Sequence, residues 1–179
     1  MGRTEEIQKY AVAYRRPEYR MGPRRKRAAH AVLNGLTGSL LDVGCGRGEV
    51  LNLAASLGMQ VTGVEVVPAL IAADPRVVYG EAWELPFPDQ AFDHVTMFDV
   101  MEHLLAEDSE RVCLELQRVA RQTVILTVAN FSHVVDGVEL HINCRPYADW
   151  DADFRRWFRG EVEWLPRGGS ISETWRVQC

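Results

Sequence analysis

Hydrophobic and polar positions along the chain follow two different periods. Between Arg24 and Leu36, apolar residues recur at helical spacing, and this stretch begins after Pro23 and ends near Gly38. Beyond it, short apolar runs rich in β-branched residues are separated by further helical stretches. The pattern therefore predicts one helix before the first strand and an alternation of strands and helices after it.

The alternation extends from residue 39 to residue 130. The predicted strands are SLLDV at 39–43, QVTGVEV at 60–66, RVVYG at 76–80, AFDHVTMFDV at 91–100 and QTVILTVAN at 122–130. Helices are predicted over 49–58 and 108–121, the second with Asp108 or Ser109 as its N-cap. Strands that alternate with helices in this way are typical of parallel βα units in a three-layer α/β sandwich.

The pattern changes after Asn130. Residues 131–147 are irregular, 148–158 predict a short helix, and 161–177 predict two strands around a Gly168-Gly169 turn. We therefore expect a mostly parallel, seven-stranded sheet that ends in a C-terminal antiparallel hairpin.

Length and composition indicate one domain. The chain has 179 residues, of which 47% are hydrophobic and 25% charged, with a net charge of -5. This balance disfavours general nucleic-acid binding but leaves room for a local basic patch. No break in composition divides the chain, so we expect residues 1–38 to form an N-terminal helical lid and first helix, and residues 39–179 to form the core of the same domain.

The chain start is polar, and no apolar run approaches the roughly 20 residues of a membrane span, so we expect a cytoplasmic protein that does not enter a membrane. The cysteines Cys45, Cys113, Cys144 and Cys179 form no CxxC pair and have no histidine at ligand spacing. Reduced thiols and the absence of a metal site are the corresponding predictions.

Three glycines, Gly44, Gly46 and Gly48, follow the first predicted strand. In an open parallel sheet, ligands bind beyond the carboxyl ends of the strands, where this turn lies. A dinucleotide fingerprint would need glycine at Glu49, so a pyrophosphate is the poorer candidate. Glu65 ends the second strand and can accept hydrogen bonds from both hydroxyls of a ribose. The combination favours a ribose-containing ligand over the alternative, a tight turn beside an exposed glutamate.

In sequence order, these motifs resemble those of the class I S-adenosylmethionine-dependent methyltransferases, including their small MetW-like and methyltransferase-11-like members. The segments that carry the resemblance are LLDVGCGRG at 40–48, VTGVEV at 61–66, GEAWELPFPDQAFDHV at 80–95, MFDVMEHL at 97–104 and LELQRVARQTVILTVAN at 114–130. In the family, the segment that corresponds to 114–130 often ends in Pro-Asn, where this chain has Ala129-Asn130. The resemblance covers most of the chain and implies a Rossmann-like fold, S-adenosyl-L-methionine as cofactor and methyl transfer as activity.

The resemblance also assigns roles to individual residues. It implies that the glycine turn lets the backbone approach the methionine portion of the cofactor and that Asp42 orders this turn. It further implies that Glu65 holds the ribose, that Glu81 accepts a hydrogen bond from the adenine amino group, and that Trp83 either lines the adenine slot or serves only as hydrophobic cover. The implied cofactor-binding residues are Asp42, Gly44, Cys45, Gly46, Gly48, Glu65, Val66, Glu81, Ala82, Trp83, Phe98 and Asp99.

Methyl transfer from a sulfonium needs no dedicated catalytic residue, because positioning the acceptor in line supplies much of the rate. A neutral oxygen or amine acceptor must still lose a proton, and histidine is the side chain suited to accept it near pH 7. His133 and His141 lie in the irregular stretch that covers the substrate mouth in the family, and His103 is a third candidate catalytic residue. His30 and His94 fall within a predicted helix and strand, so we expect them to be structural.

Two departures from the motifs of other methyltransferases and one cluster of charged residues narrow the range of possible acceptors. After the fourth strand the chain has FDVM, where methyltransferases of nucleobase amino groups carry Asn/Asp-Pro-Pro-Tyr/Phe, and it lacks the Pro-Cys of cytosine-C5 enzymes. Nucleic acid is thus a disfavoured partner. The basic segment at 15–27 is either a solvated helix start or an anion site with a lid, whose members are Tyr10, Tyr14, Tyr19 and Met21.

We therefore expect methyl transfer to an oxygen or nitrogen atom of a small acceptor or of a group that projects from a larger one, with an anionic acceptor if the basic segment is an anion site. A non-catalytic module that binds S-adenosylmethionine or another nucleoside, acting as a regulatory partner, is the alternative. NAD(P)-dependent oxidoreduction is a second alternative, which the GxGxG spacing disfavours. The sequence leaves the oligomeric state open.

Overall fold

Two helices precede the sheet in the computed structural model, which describes residues 3–16, 20–166 and 172–179. They are α1 (Arg3–Ala13) and α2 (Pro23–Leu33). Pro23 occupies the first turn of α2, where the missing N–H removes no bond within the helix. The helix predicted over 24–36 ends early at Leu33, and Gly35 follows with φ +90°, a conformation that glycine adopts without strain.

The strands confirm the predicted sheet. Their bounds are β1 (Ser39–Val43), β2 (Gln60–Glu65), β3 (Val77–Tyr79), β4 (Phe92–Phe98), β5 (Ala120–Ala129), β6 (Val134–Val135), β7 (Val138–Glu139), β8 (Glu161–Leu165) and β9 (Ser172–Gln178). The seven-stranded sheet has the order β3-β2-β1-β4-β5-β9-β8. Strands β1 to β5 are parallel, and β9 pairs antiparallel with both β5 and β8. The Gly168-Gly169 turn of the C-terminal hairpin lies outside the described residues.

Helices cover the sheet between these strands. They are α3 (Glu49–Ser56), α4 (Pro68–Ile71), α5 (Ser109–Val119) and α6 (Tyr147–Trp157), with 3₁₀ turns at Met101–His103 and Ala106–Asp108. The sequence analysis missed α4 and the β6–β7 hairpin, because elements of two to four residues are too short for a hydrophobic period to repeat.

The main core includes an aromatic group between α6 and the C-terminal hairpin. Trp150 and Phe154 stack with ring centroids 5.3 Å apart, and Phe154 meets Trp175 edge to face at 5.2 Å. All three side chains are fully buried. Aromatic packing of this kind anchors the outer strands β9 and β8 against the sheet, and the carboxyl ends of the parallel strands stay open above it.

Among the described residues, no helix combines the length and the apolar character that crossing a membrane requires. All four cysteines fall within the described ranges and are free thiols, with Cys45 and Cys113 buried.

Candidate active site

A cavity of about 500 Å³ opens at the carboxyl ends of β1, β2 and β4. Its volume is within the range usual for small-molecule sites, and its place is where open α/β sheets bind ligands. Most of the sequence-predicted site residues line it: Asp42, Gly44, Cys45, Gly46, Glu65, Val66, Ala82, Trp83, Phe98, Asp99, His103, His133 and His141.

Two predicted residues, Gly48 and Glu81, are not among the residues that line this cavity. Gly48 has φ +71° and forms the N-cap of α3. Glu81 accepts a hydrogen bond of 3.0 Å from the hydroxyl of the exposed Tyr79. Gly80 and Ala82 on either side of Glu81 line the cavity, and the contact between Glu81 and adenine stays a prediction.

The glycine turn after β1 leaves its backbone accessible to the cavity. Gly44 and Gly46 have φ values of +71° and +53°, which residues with a side chain rarely adopt. A Cβ atom at Gly44 would lie 2.5 Å from Cγ2 of Val100, and one at Gly46 would collide with the hydroxyl of Tyr14. Val100 and Tyr14 therefore pack directly against this turn, and neither position has room for a side chain.

Glu65 is buried at the end of β2, with 5% of its surface exposed, so the alternative of an exposed glutamate beside a structural turn is wrong. Its carboxylate accepts three backbone N–H groups, from Gly46 at 2.9 Å, Val66 at 2.8 Å and Val67 at 3.1 Å. An ionised carboxylate offers about four acceptor positions, so one remains for a ligand hydroxyl. Burial raises the pKa of Glu65, and these N–H groups partly offset the rise.

Asp42 is the second buried acid at this end of the sheet. It is 2% exposed and accepts a hydrogen bond of 2.7 Å from the hydroxyl of Thr96 on the neighbouring strand. Burial raises the pKa of Asp42 to about 7, and the nearby charge of Glu65 adds to the rise although the hydroxyl of Thr96 opposes it. The two acids give this side of the cavity buried acceptors that suit ligands rich in hydroxyl and amino groups.

Three histidines meet on the opposite side of the cavity, near β4 and β5. The ring centroids of His103 and His141 are 4.6 Å apart, and those of His133 and His141 are 5.2 Å apart. His103 lies in the 3₁₀ turn after β4, whereas the other two flank the β6–β7 hairpin. His94, by contrast, is buried within β4 and contacts Oγ1 of Thr123 at 2.7 Å, which agrees with the structural role expected for it.

Two of these imidazoles have a defined orientation. Nδ1 of His103 lies 2.9 Å from the carbonyl oxygen of Leu140, and Nδ1 of His141 lies 2.6 Å from that of Phe131. Because a carbonyl oxygen can only accept, each Nδ1 donates, and the lone pair of the neutral ring is on Nε2. Burial lowers the pKa of His103 to about 3 and also lowers that of His141, so both rings are neutral near pH 7.

Glu102 was not identified from the sequence, although it stands beside His103 in the MEHL motif that was singled out. It is fully buried, and its Oε1 accepts the N–H of Ala129 at 3.1 Å, while its Oε2 has no hydrogen-bond partner among the described residues. Burial raises the pKa of Glu102 well above its ordinary value, and the charge of Asp99 adds to this. An acidic residue next to a histidine at a strand exit was the available signal.

The N-terminal segment forms one wall of the cavity through Tyr10, Tyr14, Arg16, Arg20, Met21 and Arg25. The ring of Tyr10 meets that of His103 edge to face at 5.2 Å, and Nε of Arg25 lies 3.1 Å from Oδ2 of Asp99. The geometry thus favours the interpretation of the basic segment as part of the site over a purely solvated helix start. Tyr19, the remaining member of the expected lid, lies outside the described residues.

Comparisons with known proteins agree with this geometry. Residues 41–128 match the family model described as a methyltransferase domain. Ajmaline N-methyltransferase from Rauvolfia serpentina is 32% identical over 108 residues, which cover 53% of this chain and 36% of that protein. The 27-O-demethylrifamycin SV methyltransferase from Amycolatopsis mediterranei is 32% identical over 105 residues, which cover 51% of this chain and 38% of that protein. The matched region thus spans little more than a third of the length of these relatives.

Among solved structures, the 1,6-didemethyltoxoflavin-N1-methyltransferase of Burkholderia thailandensis, with its bound substrate and S-adenosylhomocysteine, superposes with a TM-score of 0.65. The superposition covers 86% of this chain and 77% of that one at 18% identity, a level that establishes the shared fold.

Proposed function

Because the chain belongs to the class I S-adenosylmethionine-dependent methyltransferases, we propose that it transfers a methyl group from S-adenosylmethionine to an oxygen or nitrogen atom of a small acceptor or of a projecting group. One observation carries the proposal: a single cavity joins a glycine turn and buried acids on one side to three histidines on the other. The first set suits a ribose-containing cofactor, and the second suits an acceptor that must lose a proton.

The residues on the side of β1 and β2 fit the cofactor. S-adenosylmethionine supplies a methyl group already activated on a sulfonium. The remaining acceptor position of Glu65 suits a ribose hydroxyl, and Gly44 and Gly46 line the part of the cavity that would hold the polar methionine portion. Trp83 packs in the main core and also lines the cavity, so it serves as hydrophobic cover and as an apolar wall for a flat base.

The residues on the opposite side of the cavity suit binding of the acceptor and removal of its proton. His133 and His141 line the cavity between the β6–β7 hairpin and the end of β4, where an imidazole can accept the acceptor proton. Arg16, Arg20 and Arg25 line the same wall, where Arg16 pairs with Asp136 and Arg25 with Asp99. An anionic group on the acceptor could contact Arg20 there or share the arginines of these pairs. The N-terminal segment acts as the lid over this acceptor.

The relatives support a small-molecule acceptor without deciding the methylated atom. Two of them are named for ajmaline and for 27-O-demethylrifamycin SV, one as an N-methyltransferase and the other as acting on an O-demethylated compound. An oxygen and a nitrogen acceptor are both compatible with a displacement in which positioning supplies much of the rate.

The test combines cofactor binding with turnover. Calorimetry is expected to show binding of S-adenosylmethionine, and a panel of small hydroxyl and amine acceptors, anionic ones included, is expected to yield S-adenosylhomocysteine. The variant His141→Ala should lower turnover by about 100-fold or more while its cofactor affinity stays within about twofold of wild type. His30→Ala, which alters an exposed histidine on α2, is the matched control and should behave as wild type.

Cofactor binding without release of S-adenosylhomocysteine from any acceptor would contradict methyl transfer and favour a non-catalytic binding module. Full activity of His141→Ala would contradict the role of the histidines.

A further inference from the structure

We propose that Glu102, His103 and His141 form a binding site for a divalent transition-metal cation on the acceptor side of the cavity. Each residue offers one ligand atom, and these atoms all lie within 4.8 Å of one another. Two imidazole nitrogens and one carboxylate oxygen are a donor set that suits Mn²⁺, Fe²⁺, Co²⁺ and Zn²⁺.

The orientation of the two histidines supports this site. Histidines that bind a metal almost always donate their other ring N–H to a carbonyl, a carboxylate or water, which sets the direction of the ring. His103 and His141 both make this contact through Nδ1, with Leu140 and Phe131 respectively. Each ring therefore keeps Nε2, the nitrogen with the lone pair, available as a ligand.

Glu102 provides an independent observation. Its side chain is fully buried, and within the part of the chain that the structure describes its Oε2 has no hydrogen-bond partner. A buried carboxylate oxygen without a partner is unfavourable, and a bound cation would satisfy it. The arginine nearest to this site, Arg25, is already ion-paired with Asp99 at 3.1 Å. The ligand atoms are supplied by segments 38 residues or more apart, which explains why the sequence analysis predicted no metal site.

The cation would act on the acceptor, and this role rests on the proposed function. Three protein ligands leave coordination positions open, so an acceptor hydroxyl can bind the cation, which lowers the pKa of that hydroxyl. The hydroxyl proton then passes to His133, which is next to His141 but is not a ligand. The oxygen forms a bond to the methyl carbon as the carbon–sulfur bond breaks, and the electrons of that bond neutralise the sulfonium. The site thus favours an oxygen acceptor over an amine.

Metal binding can be measured without turnover. The full chain, without a polyhistidine tag and freed of metal by a chelator, is titrated with Co²⁺ and with Mn²⁺ by calorimetry, and the visible spectrum of Co²⁺ is recorded. One ion per chain and a Co²⁺ spectrum typical of mixed nitrogen and oxygen ligands are expected. Glu102→Gln and His141→Ala should weaken binding by about 10- to 100-fold or more. Glu102→Gln keeps an acceptor for the N–H of Ala129, so it preserves the local fold.

The matched controls are His30→Ala and Glu107→Gln, which change exposed residues of the same types and should bind metal as wild type does. The affinity for S-adenosylmethionine is measured for every variant, and an unchanged value shows that the variant is folded.

The metal site would be overturned if the wild type bound no ion, or if Glu102→Gln bound the ion as tightly as the wild type does. If methyl transfer proceeds undiminished in excess chelator, the catalytic role of the cation is wrong and the proposed function stands. If the ion binds as expected but no S-adenosylhomocysteine forms with any acceptor, the proposed function fails and the metal site stands.

Discussion

Acidic residues at the amino edge and at the carboxyl edge of the parallel sheet differ in their hydrogen-bond partners and in the direction of their pKa shifts. At the amino edge, Asp93 accepts hydrogen bonds from the N–H of Ser39 at 2.9 Å and from the hydroxyl of the same residue at 2.8 Å. Arg121 and Gln122 bind its other oxygen at 2.5 and 3.1 Å. These donors hold the pKa of Asp93 well below its usual value, so the ionised form stabilises the fold.

At the carboxyl edge the acids are buried with less compensation. Burial is the largest cause of the raised pKa of Asp42, of Glu65 and of Glu102, and none of the three has an ion pair in the described part of the chain. The comparison teaches that the amino edge is optimised for stability, whereas the carboxyl edge holds unfavourable groups where the cavity requires them.

The largest expected effect comes from the glycine turn at the carboxyl edge. Gly46→Val should weaken binding of S-adenosylmethionine by about 100-fold or more, because a branched Cβ is strained at φ +53° and collides with Tyr14, which lines the same cavity. Isothermal calorimetry measures the affinity. Gly58→Val is the matched control, since Gly58 also has a positive φ, of +90°, but has open space around it. If folded Gly46→Val bound S-adenosylmethionine as tightly as the wild type does, the glycine turn would not be part of the cofactor site.

At the amino edge, Asp93→Ala should lower the free energy of unfolding by about 2 kcal/mol, because it leaves the N–H of Ser39 and the guanidinium of Arg121 without their acceptor. Affinity for S-adenosylmethionine should not change. Urea unfolding of wild type and variant measures the difference, with the exposed Asp89 changed to alanine as the control. Since the pKa of Asp93 is lowered on folding, its contribution is present above the unfolded value of 3.8 and is lost as pH falls below it. If the difference in free energy of unfolding between wild type and Asp93→Ala stayed constant down to pH 3, the ionised carboxylate of Asp93 would not be its source.

The smallest effect concerns the pH dependence at Asp42. The pKa of this group rises from 3.8 to about 7 on folding, so the folded state binds the proton more tightly and the wild type loses stability as pH rises through this window. Asn at this position does not titrate. Between pH 6 and pH 8 the stability of the wild type relative to Asp42→Asn should fall by about 1 kcal/mol. Urea unfolding of both proteins without cofactor measures this, and parallel pH profiles would show that Asp42 is not the titrating group.

Much of the fold and half of the site were accessible from the sequence because their determinants are local. Strand β1, the glycine turn and α3 follow one another within 18 residues, and Glu65 ends the next strand. Hydrophobic period, glycine spacing and one acidic residue therefore predicted the parallel sheet and its ligand edge. The fold predicted in this way is confirmed by the topology, and the family and cofactor that the resemblance implied are confirmed by the comparisons.

The tertiary structure decided what the remaining residues do, because their neighbours come from distant parts of the chain. His141 contacts His103 across 38 positions and Tyr14 covers Gly46 across 32, and no local period records either pairing. Glu81 matches a family motif, and its carboxylate accepts a hydrogen bond from the neighbouring Tyr79, so its contact with adenine stays a prediction. The sequence by itself thus determined the sheet, its ligand edge and the cofactor class, since these depend on contiguous residues. Only the folded chain could bring a buried carboxylate and three imidazoles together, since long-range packing sets which side chains share one desolvated space.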